Sequence, residues 1–382
     1  MEYLQHRHDN GAEIRAARFA GDPATEIHLT VIPGDAPNAA VQLERLTIAY
    51  HDALSAWQIN PTTAVFRRLF LSDYANQFEL AKQSSLAEGV ALSLIEQPPL
   101  PPRKFALWAY HILDGAPTEA ITDGAGLALP RGALTHVWTT GLSSAAAGAD
   151  EQTQRIFVRY EEILDGFGAT LADHALRTWV FVRDIDCNYT NMVNARRELF
   201  AERGLTEQTH FIASTGIAGA TADPHQLVSF DAYAVAGIDP RQIRYLNAPD
   251  NLGPTSRYGV TFERGAAVDY GDRRHVLISG TASIDNQGQI MHEGDIAGQV
   301  ERTVANIEAL LADAEAGLDD VAYLIVYLRD AADRLPVANY LDRRTGQVPR
   351  VIVHAPVCRP GWLVEIEAAA VVAKRNETWQ PF

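Results

Sequence analysis

Residues 323–330 read YLIVYLRD, a run of β-branched and aromatic residues that ends in an aspartate. Two earlier segments share this pattern, Val65–Asp73 (VFRRLFLSD) and Thr178–Asp184 (TWVFVRD). A short apolar run of these residue types is typical of a buried β-strand. Three such runs, each ending in aspartate, indicate that the chain contains an internal repeat.

The sequence before each strand supports the repeat. A segment with helical periodicity precedes each strand, and the three segments end at Leu54, Leu164 and Leu311. These ends lie 19, 20 and 19 residues before the aspartates at positions 73, 184 and 330. The matched spacing favours one repeated supersecondary unit over three unrelated α/β segments, which is the alternative.

Each repeat is predicted to have the order β-β-α-β-α-β. A strand hairpin opens the repeat, a second helix follows the aspartate, and apolar strands close it. The sequence therefore predicts an α/β (α+β) chain of three units, with connectors rich in proline and glycine between them. We refer to them as the first unit (12–115), the second unit (130–237) and the third unit (255–375).

Composition excludes several classes of function. The 382 residues carry a net charge of −16 and are 47% hydrophobic, with no apolar run long enough to cross a bilayer. The negative charge argues against nucleic acid and against anionic membranes as partners, so a small anionic substrate would require a local arginine cluster. No secretory signal is visible, and two cysteines cannot form a disulfide framework. We therefore expect a cytoplasmic protein.

The closing strand of the third unit contains two carboxylates, Glu365 and Glu367, among Val, Ile and Ala residues. Residues i and i+2 of a strand face the same side, so crowding and burial are expected to raise the pKa of at least one. A protonated carboxyl group can act as a general acid. Alignment of the units places Ser229 and Ala106 at the position of Glu365. The alternative is that both carboxylates face solvent or form a structural ion pair with Arg350.

Basic residues are concentrated at the start and the end of the third unit. Arg264, Arg350 and Arg359 are candidate ligands for substrate carboxylates, because a guanidinium group binds a carboxylate bidentately and keeps its charge. Cys358 adjoins Arg359, which would lower its thiol pKa, although a lone cysteine in an apolar segment is more often a small buried residue. No spacing of Cys and His residues predicts a zinc site.

The third unit resembles the RidA/YjgF superfamily over nearly its whole length. The resemblance rests on Leu277–Ile284, Gly294–Gln299, Val326–Asp330, Val364–Ala368 and the spacing of fifteen residues between an arginine and a glutamate. It implies that Arg350 holds a substrate carboxylate and that Glu365 handles protons. Subunits of this superfamily form trimers with sites between subunits, so three units imply an intrachain pseudo-trimer with two degenerate units and an active site in the third.

A closer resemblance is to the chorismatase branch of this superfamily. It rests on Tyr258-Gly259, Phe262–Arg264, Ile278–Ala282 and Val357–Arg359 in the third unit, and on Arg177–Trp179 and Ala213–Ile217 in the second. Proline positions around the Tyr-Gly motif differ, since this chain has Thr255–Arg257 before it and Val260 after it.

The chorismatase resemblance implies cleavage of chorismate to pyruvate and a hydroxybenzoate. Glu365 would be the general acid, with Glu367 raising its pKa, and no cofactor or metal is implied. Gly280 together with Cys358 implies the type that forms 3-hydroxybenzoate. The implied substrate-binding residues are Arg350, Arg264 and Arg359, with Tyr258 and Phe262 walling the ring.

Two other functions stay open at this point. One is a RidA-type imine or enamine deaminase, which requires one basic group for its substrate carboxylate. The other is a non-catalytic protein that binds a small ligand. The chain is expected to be a monomeric pseudo-trimer or a homo-oligomer.

Overall fold

The chain forms three six-stranded sheets that share one topology. The computed structural model describes residues 1–382, apart from the side chain of Tyr258. The first sheet and its helices comprise β1 (Glu2–Arg7), β2 (Glu13–Phe19), β3 (Thr25–Ile32), α1 (Ala39–Ala56), β4 (Ala64–Leu71), α2 (Tyr74–Lys82), β5 (Ala91–Glu96) and β6 (Phe105–Leu113).

The second and third sheets follow in the same way. The second group comprises β7 (Glu119–Ala120), β8 (Gly126–Arg131), β9 (Leu134–Ser143), α3 (Ala149–Asp165), α4 (Leu171–His174), β10 (Ala175–Val182), α5 (Ile185–Glu202), β11 (Ala213–Ala218) and β12 (Val228–Ala236). The third comprises β13 (Ile243–Tyr245), β14 (Gly265–Asp269), β15 (Arg273–Ala282), α6 (Ile296–Asp313), β16 (Val321–Leu328), α7 (Arg334–Arg344), β17 (Arg350–His354) and β18 (Val364–Ala373).

The strand order is the same in the three sheets. It is β1-β2-β3-β6-β4-β5 in the first, and the corresponding strands follow this order in the other two. The strand pairs β4–β5, β10–β11 and β16–β17 are parallel, and the remaining pairs within the sheets are antiparallel. The predicted fold class, three tandem β-β-α-β-α-β units in a pseudo-trimer, is confirmed.

Each sheet also includes strands outside the predicted unit boundaries. β1, β7 and β13 precede residues 12, 130 and 255 and lie at the outer edges of their sheets. These short edge strands carry little apolar periodicity, which is why the sequence pattern does not reveal them. The boundaries of the three units stay predictions.

Side chains along each strand point alternately to the two faces of the sheet, and they form an outer core on one face and a central core on the other. In the first sheet, Leu29 and Leu107 pack with Leu46 of α1 in one buried cluster. Trp108 and Tyr110 lie on β6 like Leu107, but their side chains point to the other face of the sheet. They belong to a central cluster with residues of the other sheets. The helices of the first unit therefore cover the outer face of its sheet, and the inner face packs on its neighbours.

The three sheets close into a ring around a central aromatic cluster. Isolated β-bridges join each pair of units, at Glu96–Ala220, Pro99–Val353 and Ile217–Val357. In the centre, the ring of Trp108 lies 6.3 Å from that of Trp179 and 4.1 Å from that of Tyr323, one aromatic residue from each unit. This arrangement creates three interfaces between units, and each has a cavity. In the described part of the chain, no helix is both long and apolar enough to cross a membrane.

Candidate active site between the second and third units

The cavity that contains Glu365 lies where the third unit meets the second. Residues from β11 and α5 of the second unit form one wall, and residues from β15, β18 and the segment before β18 form the other. We call it the Glu365 cavity. It has a volume of about 30 Å³, and its lining is Tyr189, Arg196, Ser214, Gly216, Val260, Phe262, Arg264, Gly280, Ala282, Ile284, Cys358, Arg359, Trp362 and Glu365.

Glu365 is a buried carboxyl group at the start of β18, with 5% of its surface exposed. No hydrogen bond to its carboxyl oxygens is found within the part of the chain that the structure describes. Burial raises the pKa of Glu365 to about 8, the negative charge of Glu367 contributes in the same direction, and Arg177 partly offsets both. At neutral pH this group therefore carries a proton that it can donate into the cavity.

Glu367 is fully buried and points into a polar network rather than into the cavity. Its carboxylate forms an ion pair with Arg177 of β10 at 2.8 Å. It also accepts hydrogen bonds from Trp179 Nε1 at 2.8 Å and from Thr215 Oγ1 at 2.6 Å. All three partners belong to the second unit, so Glu367 connects the two units and supplies a fixed negative charge beside Glu365.

A β-bulge shapes the wall that faces Glu365. Between Ile278 and Thr281 the pairing of β15 with β18 shifts register, so Ser279 and Gly280 together oppose one residue of the partner strand. A Cβ atom at Gly280 would overlap carboxyl oxygen Oε1 of Glu365. Glycine at this position therefore makes room for the carboxyl group. The Gly280 amide in turn donates to Thr215 Oγ1 at 3.0 Å.

Three arginines surround the same cavity. Arg264 is buried and donates to the Gly253 carbonyl from Nη2 at 2.9 Å, while its guanidinium lies 5.6 Å from the ring of Phe262. Arg359 lies 5.1 Å from the ring of Trp362. Both guanidinium groups therefore form part of the cavity wall.

The third arginine, Arg196 of α5, was not among the residues selected from the sequence. It is buried, and it donates to Thr261 Oγ1 at 3.2 Å and weakly to Ser214 Oγ at 3.4 Å. No carboxylate of the described residues lies within 4 Å of its guanidinium. Burial lowers the pKa of Arg196, as expected for a cation without a nearby counter-ion. An anionic group of a ligand would compensate this charge.

Cys358 lies in the cavity lining but is not activated as a nucleophile. Burial raises the pKa of its thiol to about 12, and the charge of Glu365 adds to the effect. The Tyr189 hydroxyl contacts the thiol and Arg359 lies nearby, and both lower the pKa by less than burial raises it. Arg359 lowers the pKa in the expected direction, but burial, the alternative considered from the sequence, has the larger effect. The thiol is therefore neutral at physiological pH and contributes shape to the cavity.

Arg350 does not reach the Glu365 cavity. Although the two residues are fifteen positions apart in sequence, strand β16 lies between β17 and β18 in the sheet. Arg350 forms an ion pair with Asp342 of α7 in its own unit. It faces the first unit and lines a separate cavity together with Arg15, Arg103 and Arg334. We call this second cavity the four-arginine cavity. The pairing of Arg350 with Glu365, expected from the sequence, is not found.

The other predicted residues divide as follows. Glu365, Cys358, Arg264, Arg359, Phe262 and Gly280 all line the Glu365 cavity. The side chain of Tyr258, predicted to wall the substrate ring, lies outside the described residues. At the positions equivalent to Glu365, the second unit has Ser229 and the first has Ala106, so neither provides an acid there.

Comparison with known proteins places the third unit in a family. The family model described as Endoribonuclease L-PSP matches residues 265–372. A RutC family protein of Pyrococcus abyssi is 30% identical over 125 residues, which is 32% of this chain and 90% of the relative. The 3-aminoacrylate deaminase RutC of Acinetobacter baylyi is 32% identical over 100 residues, 25% of this chain and 79% of the relative.

A solved structure extends the likeness to most of the chain. A chorismatase crystal structure superposes with a TM-score of 0.64 and 19% sequence identity, covering 81% of this chain and 93% of that protein. This likeness shows a shared fold across more than the third unit. With the family match of the third unit and the repeated topology of the three sheets, the chain belongs to the RidA/YjgF superfamily.

Proposed function

We propose that this protein is a chorismatase-like enzyme that cleaves the enolpyruvyl ether of chorismate to pyruvate and a hydroxybenzoate, with 3-hydroxybenzoate favoured. The observation that carries the proposal is the combination in one cavity of a protonated carboxyl group, Glu365, with three arginines. The fold shared with a chorismatase supports it.

The proposed role of Glu365 is general acid catalysis. Chorismate contains an enol ether whose terminal CH₂ carbon accepts a proton at the start of the cleavage. An ordinary glutamate is ionised at neutral pH, but the pKa of Glu365, raised to about 8 by burial, keeps its proton available. Glu367 has a positioning role, because its fixed negative charge disfavours ionisation of Glu365.

The proposed role of the arginines is to hold the two carboxylates of the substrate. Arg196 is buried without a carboxylate of the described chain nearby, and Arg264 and Arg359 line the same cavity. Charged hydrogen bonds from guanidinium to carboxylate are strong and directional. The two carboxylates of chorismate match a cavity wall that carries several positive charges.

The products require no cofactor. When a ring hydroxyl replaces the enolpyruvyl oxygen within the molecule and the ring becomes aromatic, 3-hydroxybenzoate and pyruvate together contain all atoms of chorismate. Protonation of the CH₂ carbon supplies the methyl group of pyruvate, and a ring proton returns to Glu365. In this scheme Cys358 and Gly280 shape the cavity next to the acid.

A cavity of about 30 Å³ holds water but not a substituted ring. We therefore propose that substrate entry displaces side chains of the lining, among which Phe262 and Trp362 are the large aromatic ones. Both are stacked on arginines that line the cavity, so the aromatic and basic walls are expected to move together when substrate binds.

A second candidate is deamination of an imine or enamine derived from an amino acid. The relation to a 3-aminoacrylate deaminase and the small volume of the cavity favour it. Glu365 would then transfer a proton to the enamine carbon, and one arginine would bind the single carboxylate.

The proposed location is the cytoplasm, where the free thiols of Cys187 and Cys358 stay reduced.

The test is incubation of the purified protein with chorismate and, separately, with enzymatically generated 2-aminoacrylate, followed by chromatography. Pyruvate together with 3-hydroxybenzoate from chorismate supports the proposal. Ammonia release from 2-aminoacrylate that is faster than in a control without the protein, with no turnover of chorismate, supports the deaminase. Turnover of neither substrate favours a protein that only binds a small ligand.

A further inference from the structure

The four-arginine cavity lies at the interface between the first and third units. It has a volume of about 180 Å³ and is lined by Glu13, Arg15, Thr30, Ile32, Pro99, Leu100, Arg103, Arg334, Ala338, Asp342, Arg350 and Ile352. The lining therefore comes from two units and includes helix α7 of the third unit. The Glu365 cavity is built in the same way, from two units and helix α5 of the second unit.

Strand register shows that the two cavities occupy equivalent places. In the third unit Arg350 pairs with Leu324, and in the second unit Ser214 pairs with Thr178 at the corresponding position of β10. Arg350 therefore stands where the Glu365 cavity has Ser214. The acid, however, has no counterpart in this second cavity, because the position of Glu365 is Ala106 in the first unit.

The charges of the lining do not cancel. The four arginines face two carboxylates, Glu13 and Asp342. Asp342 is shared, since it forms an ion pair with Arg350 and lies 3.5 Å from Arg15. Within the lining, the positive charges therefore exceed the negative charges by two.

Two of the arginines form no ion pair with the described residues. Among the residues that the structure describes, no carboxylate lies within 4 Å of the guanidinium groups of Arg103 and Arg334. The Nε atom of Arg103 is buried and has no hydrogen-bond acceptor. A buried donor without an acceptor costs free energy, which a bound oxyanion would recover.

Mutual repulsion among the arginines of this cavity also favours a bound anion. Burial lowers the pKa of Arg103, and the charge of Arg334 lowers it further, while Glu13 and Asp35 offset only part of this effect. Burial and the charge of Arg15 also lower the pKa of Arg350, and the negative charge of Asp342 offsets part of this effect. An anion placed between these groups relieves the repulsion and satisfies the fork geometry of the guanidinium groups.

We propose that the four-arginine cavity is a second, non-catalytic binding site for a small dicarboxylate. The uncompensated charge of the lining matches the two negative charges of such a ligand. Because the cavity joins the first and third units, a bound dicarboxylate stabilises their contact. This site is independent of the reaction at the Glu365 cavity and does not rest on the function proposed above.

The experiment is titration calorimetry of the whole protein with succinate, with the neutral diamide succinamide as the control ligand. Two variants test the location. Ala338→Glu places a carboxylate in the cavity from α7, and Asn339→Glu places the same charge on the adjacent exposed position. We expect succinate to bind to the wild type and to Asn339→Glu, and to bind at least about tenfold more weakly to Ala338→Glu.

A second variant, Arg103→Gln/Arg334→Gln, removes the two arginines without a counter-ion. It is expected to weaken succinate binding by at least about tenfold while any activity at the Glu365 cavity is kept. Arg196→Gln, in the other cavity, is expected to leave succinate binding at this site intact. Melting curves without ligand show whether each variant is folded.

Three results would overturn the proposal. The first is the absence of succinate binding to the wild type. The second is equal binding to the wild type and to folded Ala338→Glu. The third is binding that is lost in Arg196→Gln but kept in Arg103→Gln/Arg334→Gln, which would place the ligand in the Glu365 cavity.

Discussion

Replacement of Glu365 by glutamine is expected to change the pH dependence of stability. In the folded chain the pKa of this carboxyl is raised from its ordinary value of 4.5 to about 8, mainly by burial. Between these two values the folded state holds a proton that the unfolded state has released. The free energy of unfolding of the wild type therefore falls as pH rises through this window, and the glutamine variant lacks this loss.

The magnitude follows from the width of the window. At about 1.36 kcal/mol for each pH unit, the interval from 4.5 to about 8 corresponds to about 5 kcal/mol. Water that enters the cavity around the ionised group will reduce this value. We expect the stability of Glu365→Gln relative to the wild type to rise by about 2 to 5 kcal/mol between about pH 4 and pH 9.

Urea unfolding of both proteins at several pH values measures this difference. Glu198→Gln, at an exposed position of α5, is the matched control and should give the same pH dependence as the wild type. A constant difference between Glu365→Gln and the wild type over the whole range would refute the raised pKa. The proposed acid would then be ionised at neutral pH.

Three further substitutions in the site, and one control outside it, test individual parts of the account. Arg196→Gln should raise KM for a dicarboxylate substrate by about 10- to 100-fold, since a charged hydrogen bond contributes about 1.5 to 3 kcal/mol, whereas Arg350→Gln should leave KM unchanged in steady-state kinetics. An equal effect of both would contradict the assignment of Arg196. Gly280→Ala should lower kcat by at least about tenfold, because the new methyl group overlaps the proposed acid, and wild-type kcat in a folded variant would speak against that contact. Cys358→Ser should keep kcat within a few-fold, and mass spectrometry after iodoacetamide treatment should find exposed Cys187 alkylated faster than Cys358; the reverse order would show an activated thiol.

The repeated fold was predictable because it depends on local patterns. The strand segments ending at Asp73, Asp184 and Asp330 and their matched helices are each encoded within one unit, so a single periodicity analysis finds all three. The short edge strands were missed because they are held by pairing with a neighbouring strand and not by their own apolar pattern.

The site was only partly predictable, because it is built between units. The spacing of Glu365 and Glu367 places them on one strand face, but their different environments come from Arg177 and the rest of the second unit. Arg350 has the sequence spacing typical of the superfamily, yet its strand faces a different neighbour from the strand of Glu365. Arg196 resembles an ordinary surface arginine of a helix, and its burial and its contact with Thr261 become visible only in the folded chain.

The most direct test of the central claim is the reaction of chorismate in D₂O. If Glu365 protonates the enol ether carbon, the wild type should release pyruvate with one deuterium in its methyl group, together with 3-hydroxybenzoate. Glu365→Gln should release it at least about 100-fold more slowly, as expected for loss of a general acid. Mass spectrometry of pyruvate trapped by reduction to lactate measures both. Equal rates of deuterated pyruvate release from the wild type and a folded Glu365→Gln would contradict the account.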